Sequence, residues 1–240
     1  MFLKRLGLFM INFLYPPICP ICGARIEEPH CLCADCYNHL NFITEPCCQI
    51  CGRPFEYKGL NDLICGACMK KAPAFSMARS VLEYDDFSKQ LILAYKHGDR
   101  TDLTPLLIKF LLQADNVIFK DIDVIIPVPL HWTRFLKRRY NQSSLLGKAL
   151  GKKLKIPFRS KYLKRIRMTE SQGTKNHRER EKNIRNAFQV SNPVAIRGKN
   201  ILLIDDVMTT GATTKECAKI LKKAGAKDIK VITLYRVIRL

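Results

Sequence analysis

The chain has 240 residues, 47% of them hydrophobic, with a formal net charge of +20. That length suits one α/β core domain with a small appendage, and the apolar content is ample for a packed core. No stretch approaches the roughly 20 apolar residues of a membrane span, which excludes an integral membrane protein, and the charge points to an anionic partner, with a solvated basic face as the alternative.

Residues 1–18 read as an amphipathic helix, with Leu6, Phe9, Met10 and Phe13 on one face. Packing on the body of the protein is the first reading of that face; a peripheral membrane contact is the alternative. The segment has no small-residue cleavage site, so it is not read as a signal peptide, and a cytoplasmic location is expected.

Residues 19–72 form a cysteine-rich domain. Ten of the eleven cysteines lie between positions 19 and 68, and eight of them make four CxxC pairs. Two residues between cysteines let both thiolates face one ion across a tight knuckle, and four thiolates close a tetrahedral structural zinc site. Chain order groups Cys19, Cys22, Cys33 and Cys36 in one set and Cys48, Cys51, Cys65 and Cys68 in another. Interleaved pairing is the alternative, and one or two ions are expected. Cys31 and Cys47 are left over. A stretch this short needs metal to fold, so the zinc is structural and says little about activity.

Residues 73–240 change character. SMARSVLEYD reads as a strand, FSKQLILAYKHG as a helix stopped by Gly98, and DLTPLLIKFLLQAD as a second helix. DVIIPVP, ILLID and KVITLYRV read as buried strands, separated by the helical runs SSLLGKALGKKL and GATTKECAKILKKAG. Alternating strands and helices imply an α/β fold: a parallel sheet with helices on both faces, preceded by the small zinc-binding domain. Ligands in such sheets bind at the carboxyl ends of the strands.

The charge is concentrated. Residues 131–185 hold eighteen Lys and Arg against three acids. Trp132, Phe135, Tyr140, Phe158 and Tyr162 are interleaved with them. Cations that track a phosphate backbone, with rings that stack on bases, describe a single-strand binding surface. The candidates are Arg134, Lys137, Arg138, Arg139, Tyr140, Arg165 and Arg167. Phe158 reads as core.

ILLIDDVMTTGAT, residues 201–213, carries the chemistry. Asp205 and Asp206 stand where the strand ends. Thr209, Thr210, Gly211, Ala212 and Thr213 form the turn into the next helix, whose free N–H groups suit a phosphate. The two acids suit sugar hydroxyls and a magnesium ion. Together they describe a ribose-5-phosphate site. There is no GxxxxGK[ST], so this is not a P-loop.

This stretch resembles the phosphoribosyl pyrophosphate motif of the type I phosphoribosyltransferases. The order of four CxxC pairs, AYKHGDR, IPVPLHWTRFLKRRYNQS, LKRIRMTESQ and the acidic motif resembles the ComF family of competence proteins over about residues 8–236. The resemblance implies that Asp205 and Asp206 hold the ribose hydroxyls and that the following loop takes the 5′-phosphate. It implies that Val128 and Pro129 sit in the pyrophosphate loop, and that the 165–185 stretch forms an arm near the site. Three departures stand out. Gly173 and Thr174 stand where a leucine commonly follows SQ closely in the family. Arg139 occupies the place of a family glycine, and Thr209 replaces the acid of the enzymes that act on 6-oxopurines.

Two functions follow. The resemblance implies a DNA-uptake factor in natural transformation, with single-stranded DNA, a DNA-uptake helicase or recombination mediator, and phosphoribosyl pyrophosphate as partners. The alternative is a metabolic phosphoribosyltransferase, with magnesium on the pyrophosphate and an unidentified acceptor.

Overall fold

A computed structural model describes residues 16–56, 63–131, 139–168 and 184–238. Residues 1–15 of the expected N-terminal helix lie outside the described residues, as do Trp132, Arg134, Lys137 and Arg138, and residues 16–18 are not helical, Ile18 forming a bridge with Arg25.

Four strands form one sheet: β1 (Met77–Glu83), β2 (Val124–Pro127), β5 (Asn200–Met208) and β6 (Asp228–Arg236), in the order β1-β6-β5-β2. Every pairing is parallel, and Ile201 in β5 sits beside Val124 on one side and Ile229 on the other. Strands β3 (Leu163–Arg165) and β4 (Phe188–Val190) pair antiparallel as a separate two-stranded unit.

The apolar runs of β2, β5 and β6 are buried on both faces, as a parallel sheet between helices requires. One face presents Ile126, Leu203 and Val231 to helix α7 (Ala212–Lys223), which contributes Cys217, Ala218 and Leu221. The other presents Ile125, Leu202, Ile204, Ile232 and Leu234 to helices α3 (Lys89–His97), α4 (Thr104–Leu111) and α5 (Gln142–Leu154). Phe158 packs against this second face, as expected. Among the described residues no helix is long and apolar enough to cross a membrane.

The cysteine-rich segment contains two short helices, α1 (Ala34–Asn38) and α2 (Gly66–Lys70), and it lies against β1. Ile43 N–H donates to Val81 O at 2.8 Å, Glu83 N–H to Asn41 O at 2.8 Å and Ala78 N–H to Ile50 O at 2.6 Å. These bonds take up the outer edge of β1. The far edge of the sheet is closed in the same way, where Ile125 N–H donates to Pro157 O and Arg159 N–H to Ile125 O. A short helix, α6 (Pro193–Ile196), packs Ile196 into the α7 side of the core.

Candidate functional site

A cleft of about 940 Å³ opens at the carboxyl ends of β5, β6 and β1. Its floor is the acidic motif. The sequence places the end of the strand at the two acids, but β5 runs on to Met208, because β6 continues to pair with it as far as Arg236. Asp205 and Asp206 are therefore held by a paired backbone rather than by a loop.

The two acids have different surroundings. Asp205 accepts the hydroxyl of Ser143 at 2.9 Å and the N–H of Asp206 at 3.0 Å. Burial, with the Asp206 charge beside it, raises its pKa to about 7. Asp206 pairs instead with Lys96, Nζ to Oδ1 at 3.1 Å. Two neighbouring carboxylates in a cleft thus have one hydroxyl and one ammonium to offset them.

Past Met208 the chain turns at Gly211, which has φ +73° and caps α7. Ala212 N–H donates to Thr210 Oγ1 at 3.3 Å, and Thr214 Oγ1 donates to Gly211 O at 3.0 Å. Thr209, Gly211, Ala212, Thr213 and Thr214 line the cleft. The 12-residue α7 points the partial positive charge of its N-terminus into this wall.

The opposite wall comes from Val128, Pro129 and Leu130 after β2. Val128 N–H donates to Ile204 O at 2.9 Å, and Val128 O accepts from Asn141 Nδ2 at 3.1 Å. The cationic rim is Lys96, Arg139 and Arg165, with Tyr84, His97 and Asp99 nearby. Sequence reasoning did not single out Lys96 or Ser143 as site residues. The AYKHGDR block held the signal for Lys96, just before the helix-ending Gly98.

The basic candidates separate. Arg139 lines the cleft and lies 3.9 Å from Asp99 on the surface. It adopts φ +63°, so the backbone has the left-handed geometry that the family glycine supplies. Arg165 lines the cleft from β3, with its guanidinium over the ring of Phe188. Arg167 is exposed beyond the cleft and donates to Arg185 O at 2.8 Å. Tyr140 differs from the expectation of a stacking ring. Its hydroxyl donates to Tyr95 O at 2.6 Å and its ring packs edge-on against Tyr95. A half-buried ring with its polar end used is a brace for α3.

The cysteines form two clusters, and chain order rather than interleaving sets them. Cys19, Cys22, Cys33 and Cys36 make one; Cys48, Cys51, Cys65 and Cys68 make the other, each with all Sγ atoms within 4.8 Å of one another. In each cluster one sulfur pair stands at 3.6 Å, Cys22 with Cys33 and Cys51 with Cys65. A tetrahedral zinc with bonds of about 2.3 Å needs thiolates about 3.8 Å apart, so both clusters fit the metal. No disulfide is present. One sulfur per cluster is ready to ionise. Burial pushes Cys19 up, but the N–H groups of Cys22, Cys33 and Ile21 outweigh it and bring the thiol down to about 6. Cys48 comes down to about 7 by the same balance, with Cys51, Cys65 and Ile50 as donors. The leftover thiols stand apart: Cys31 accepts from Lys109 Nζ at 3.1 Å, and Cys47 donates to Glu45 Oε1 at 3.3 Å.

Residues 10–69 match the double zinc ribbon domain, and residues 141–239 match the phosphoribosyl transferase domain. The chain is 31% identical to the DNA utilization protein YhgH of Salmonella typhi, over 91% of this chain and 90% of that protein. It is 32% identical to Competence protein F of Haemophilus influenzae, over 72% of this chain and 78% of the other. It is 28% identical to Competence protein ComFC of Bacillus subtilis, over 91% and 78%.

Proposed function

The chain belongs to the ComF family of competence proteins, and from that premise we propose that it acts in DNA uptake, holding single-stranded DNA on its basic surface and a phosphoribosyl pyrophosphate or a strand 5′-phosphate in the cleft. One observation carries the reading. The paired acids on β5 and the N-terminus of α7 share one cleft with the cationic rim of Lys96, Arg139 and Arg165.

Each wall has a part. Asp205 and Asp206 are acceptors for sugar hydroxyls. Thr209, Thr213 and the N–H groups at the start of α7 are donors for a terminal phosphate. Val128 and Pro129, fixed to β5 through Ile204, bring backbone close to a pyrophosphate. Magnesium, bound with phosphoribosyl pyrophosphate, would neutralise the diphosphate, and Asp205 and Asp206 are the carboxylates that would hold it. Arg139 and Arg165 direct the strand toward the cleft. Exposed Lys148, Lys152, Lys153, Arg159, Lys161 and Lys164 extend the same charge over the surface.

The test is single-strand binding at two salt concentrations, with and without excess phosphoribosyl pyrophosphate and magnesium. We expect affinity to fall steeply with salt. Displacement by the small ligand puts the strand end in the cleft. Binding that ignores the ligand puts DNA on the surface alone. No DNA binding, with the small ligand still bound, would replace this reading by a phosphoribosyltransferase whose acceptor is unidentified.

A further inference from the structure

Arg236 is a buried arginine at the carboxyl end of β6. Its Nη1 donates to the carbonyl of Cys51 and lies 3.1 Å from Met208 Sδ, while Nη2 lies 3.7 Å from Cys51 Sγ. Its own carbonyl accepts the N–H of Tyr84 at 2.8 Å. The next residue, Val237, donates to Met208 O at 2.9 Å. Tyr84, Met208 and Val237 all line the cleft, and Cys51 is one of the four clustered thiols. One side chain and the two peptide groups beside it therefore join the second cysteine cluster to the cleft.

The first cluster has no such link among the described residues. Its neighbours Ile21, Leu32 and Leu40 pack into the core on the α3 side of the sheet. Cys22 is exposed, whereas all four thiols of the second cluster are buried. The clusters match in geometry and differ in what they touch.

We propose that Arg236 is a positioning residue that couples the second cysteine cluster to the cleft, so that metal in the second cluster, and not in the first, holds the cleft floor in place. An ion bound by four thiolates leaves a net negative charge, and a guanidinium on one of those sulfurs balances it. Losing the ion frees the Cys51 side chain from the cluster. The knuckle then relaxes, and the arginine loses the anchor that holds it against Met208. The coupling does not require the identity of the cleft's ligand.

The test uses the full zinc-loaded chain. Metal is withdrawn stepwise with a chromogenic chelator, and amide exchange of the peptides spanning 84, 205–214 and 237 is followed by mass spectrometry. The first cluster, open at Cys22, should release its ion first, with exchange in those peptides unchanged. Release of the second ion should raise exchange about tenfold, the effect of losing one hydrogen bond from a charged donor. Arg236→Met should show the raised exchange while still holding both ions, and cobalt substitution reads the integrity of each thiolate site directly. Arg236→Lys, which keeps the charge, should restore part of the protection. Exchange that rises with the first ion, or stays flat after the second, overturns the proposal. So does an Arg236→Met protein that exchanges like the parent. Should Arg236→Met not fold, the stepwise series on the parent chain decides. Failure of single-stranded DNA to bind would sink the functional reading above and leave this result standing.

Discussion

The ammonium of Lys96 stands 3.1 Å from the carboxylate of Asp206, and both side chains are largely buried in the cleft. The last turn of α3 is held for this contact from outside. Tyr140 donates to Tyr95 O, and Gln142 Nε2 donates to Lys96 O at 3.4 Å. Removing Lys96 leaves two adjacent carboxylates without their cation. Lys96→Met should destabilise the protein by roughly 1–3 kcal/mol, less than a fully buried pair because the cleft is open to water. Asp206→Asn in the same background should recover much of that loss. Denaturant unfolding of the two single variants and the double variant reads the coupling; additive losses would show that the pair contributes nothing.

Asp205 makes the cleft sensitive to pH. Burial and the Asp206 charge raise its pKa to about 7, from an ordinary 3.8. A group raised in the folded state favours folding most at low pH and loses that contribution as pH rises through about 7. Asp205→Asn should therefore be more stable than the parent at pH 8, with the gain shrinking as pH falls toward 4. The amide oxygen still accepts from Ser143 and from the Asp206 N–H. Binding of phosphoribosyl pyrophosphate should run the other way for the parent, weakening as pH falls below about 7. Calorimetric titrations from pH 6 to 8 check it, and a flat profile would mean that Asp205 does not face the ligand.

Gly23 and Gly52 follow equivalent knuckles with similar positive φ, +75° and +67°. A Cβ on Gly23 meets nothing within 4 Å, while one on Gly52 would stand 2.4 Å from the carbonyl oxygen of Ala78. Gly23→Ala should cost about 1 kcal/mol of backbone strain. Gly52→Ala should cost clearly more, because Ala78 is in β1 and cannot yield without disturbing the sheet. Thermal unfolding of the pair tests this; equal losses would mean that the second knuckle is not seated on the strand.

Arg139 has a fully charged side chain on a left-handed backbone, 3.9 Å from Asp99. The ion pair is mostly exposed and adds little. Arg139→Gly relieves roughly 1 kcal/mol of strain and restores a similar amount of unfolded-state freedom. Its stability should stay near that of the parent. Its single-strand affinity should fall, with the logarithmic salt slope reduced by about 0.7, the share of one phosphate contact. Arg165→Gln should show the same reduction. An unchanged slope in both would move the strand away from the cleft.

Much of this was legible in the chain. The periods of LILAYKHG and LLGKALGKKL and the buried runs VIIP and ILLI gave the layers, because burial on one or both faces leaves a repeat. The CxxC spacing gave the two clusters, because metal geometry is local. The β3–β4 unit was missed. It pairs two three-residue strands more than twenty positions apart, and neither strand is long enough to show alternation. The Lys96 and Ser143 contacts were missed for a related reason. A cleft at strand ends draws residues from separate elements, and nothing local to Lys96 marks Asp206 as its partner. Tyr140 misled because flanking charge suggested exposure, whereas the ring turns inward to Tyr95.

The bonds from Asn41, Ile43 and Ile50 to β1 have a consequence for the handling of the protein. A parallel sheet cannot end in open water without offering its last row of N–H and C=O groups to whatever strand comes next. Here that row is occupied by the segment that carries both cysteine clusters. Chains made in zinc-poor cells should therefore fail by self-association, one copy's β1 serving as the template for another. The precipitate should be rich in intermolecular sheet while α7 and its neighbours are still folded.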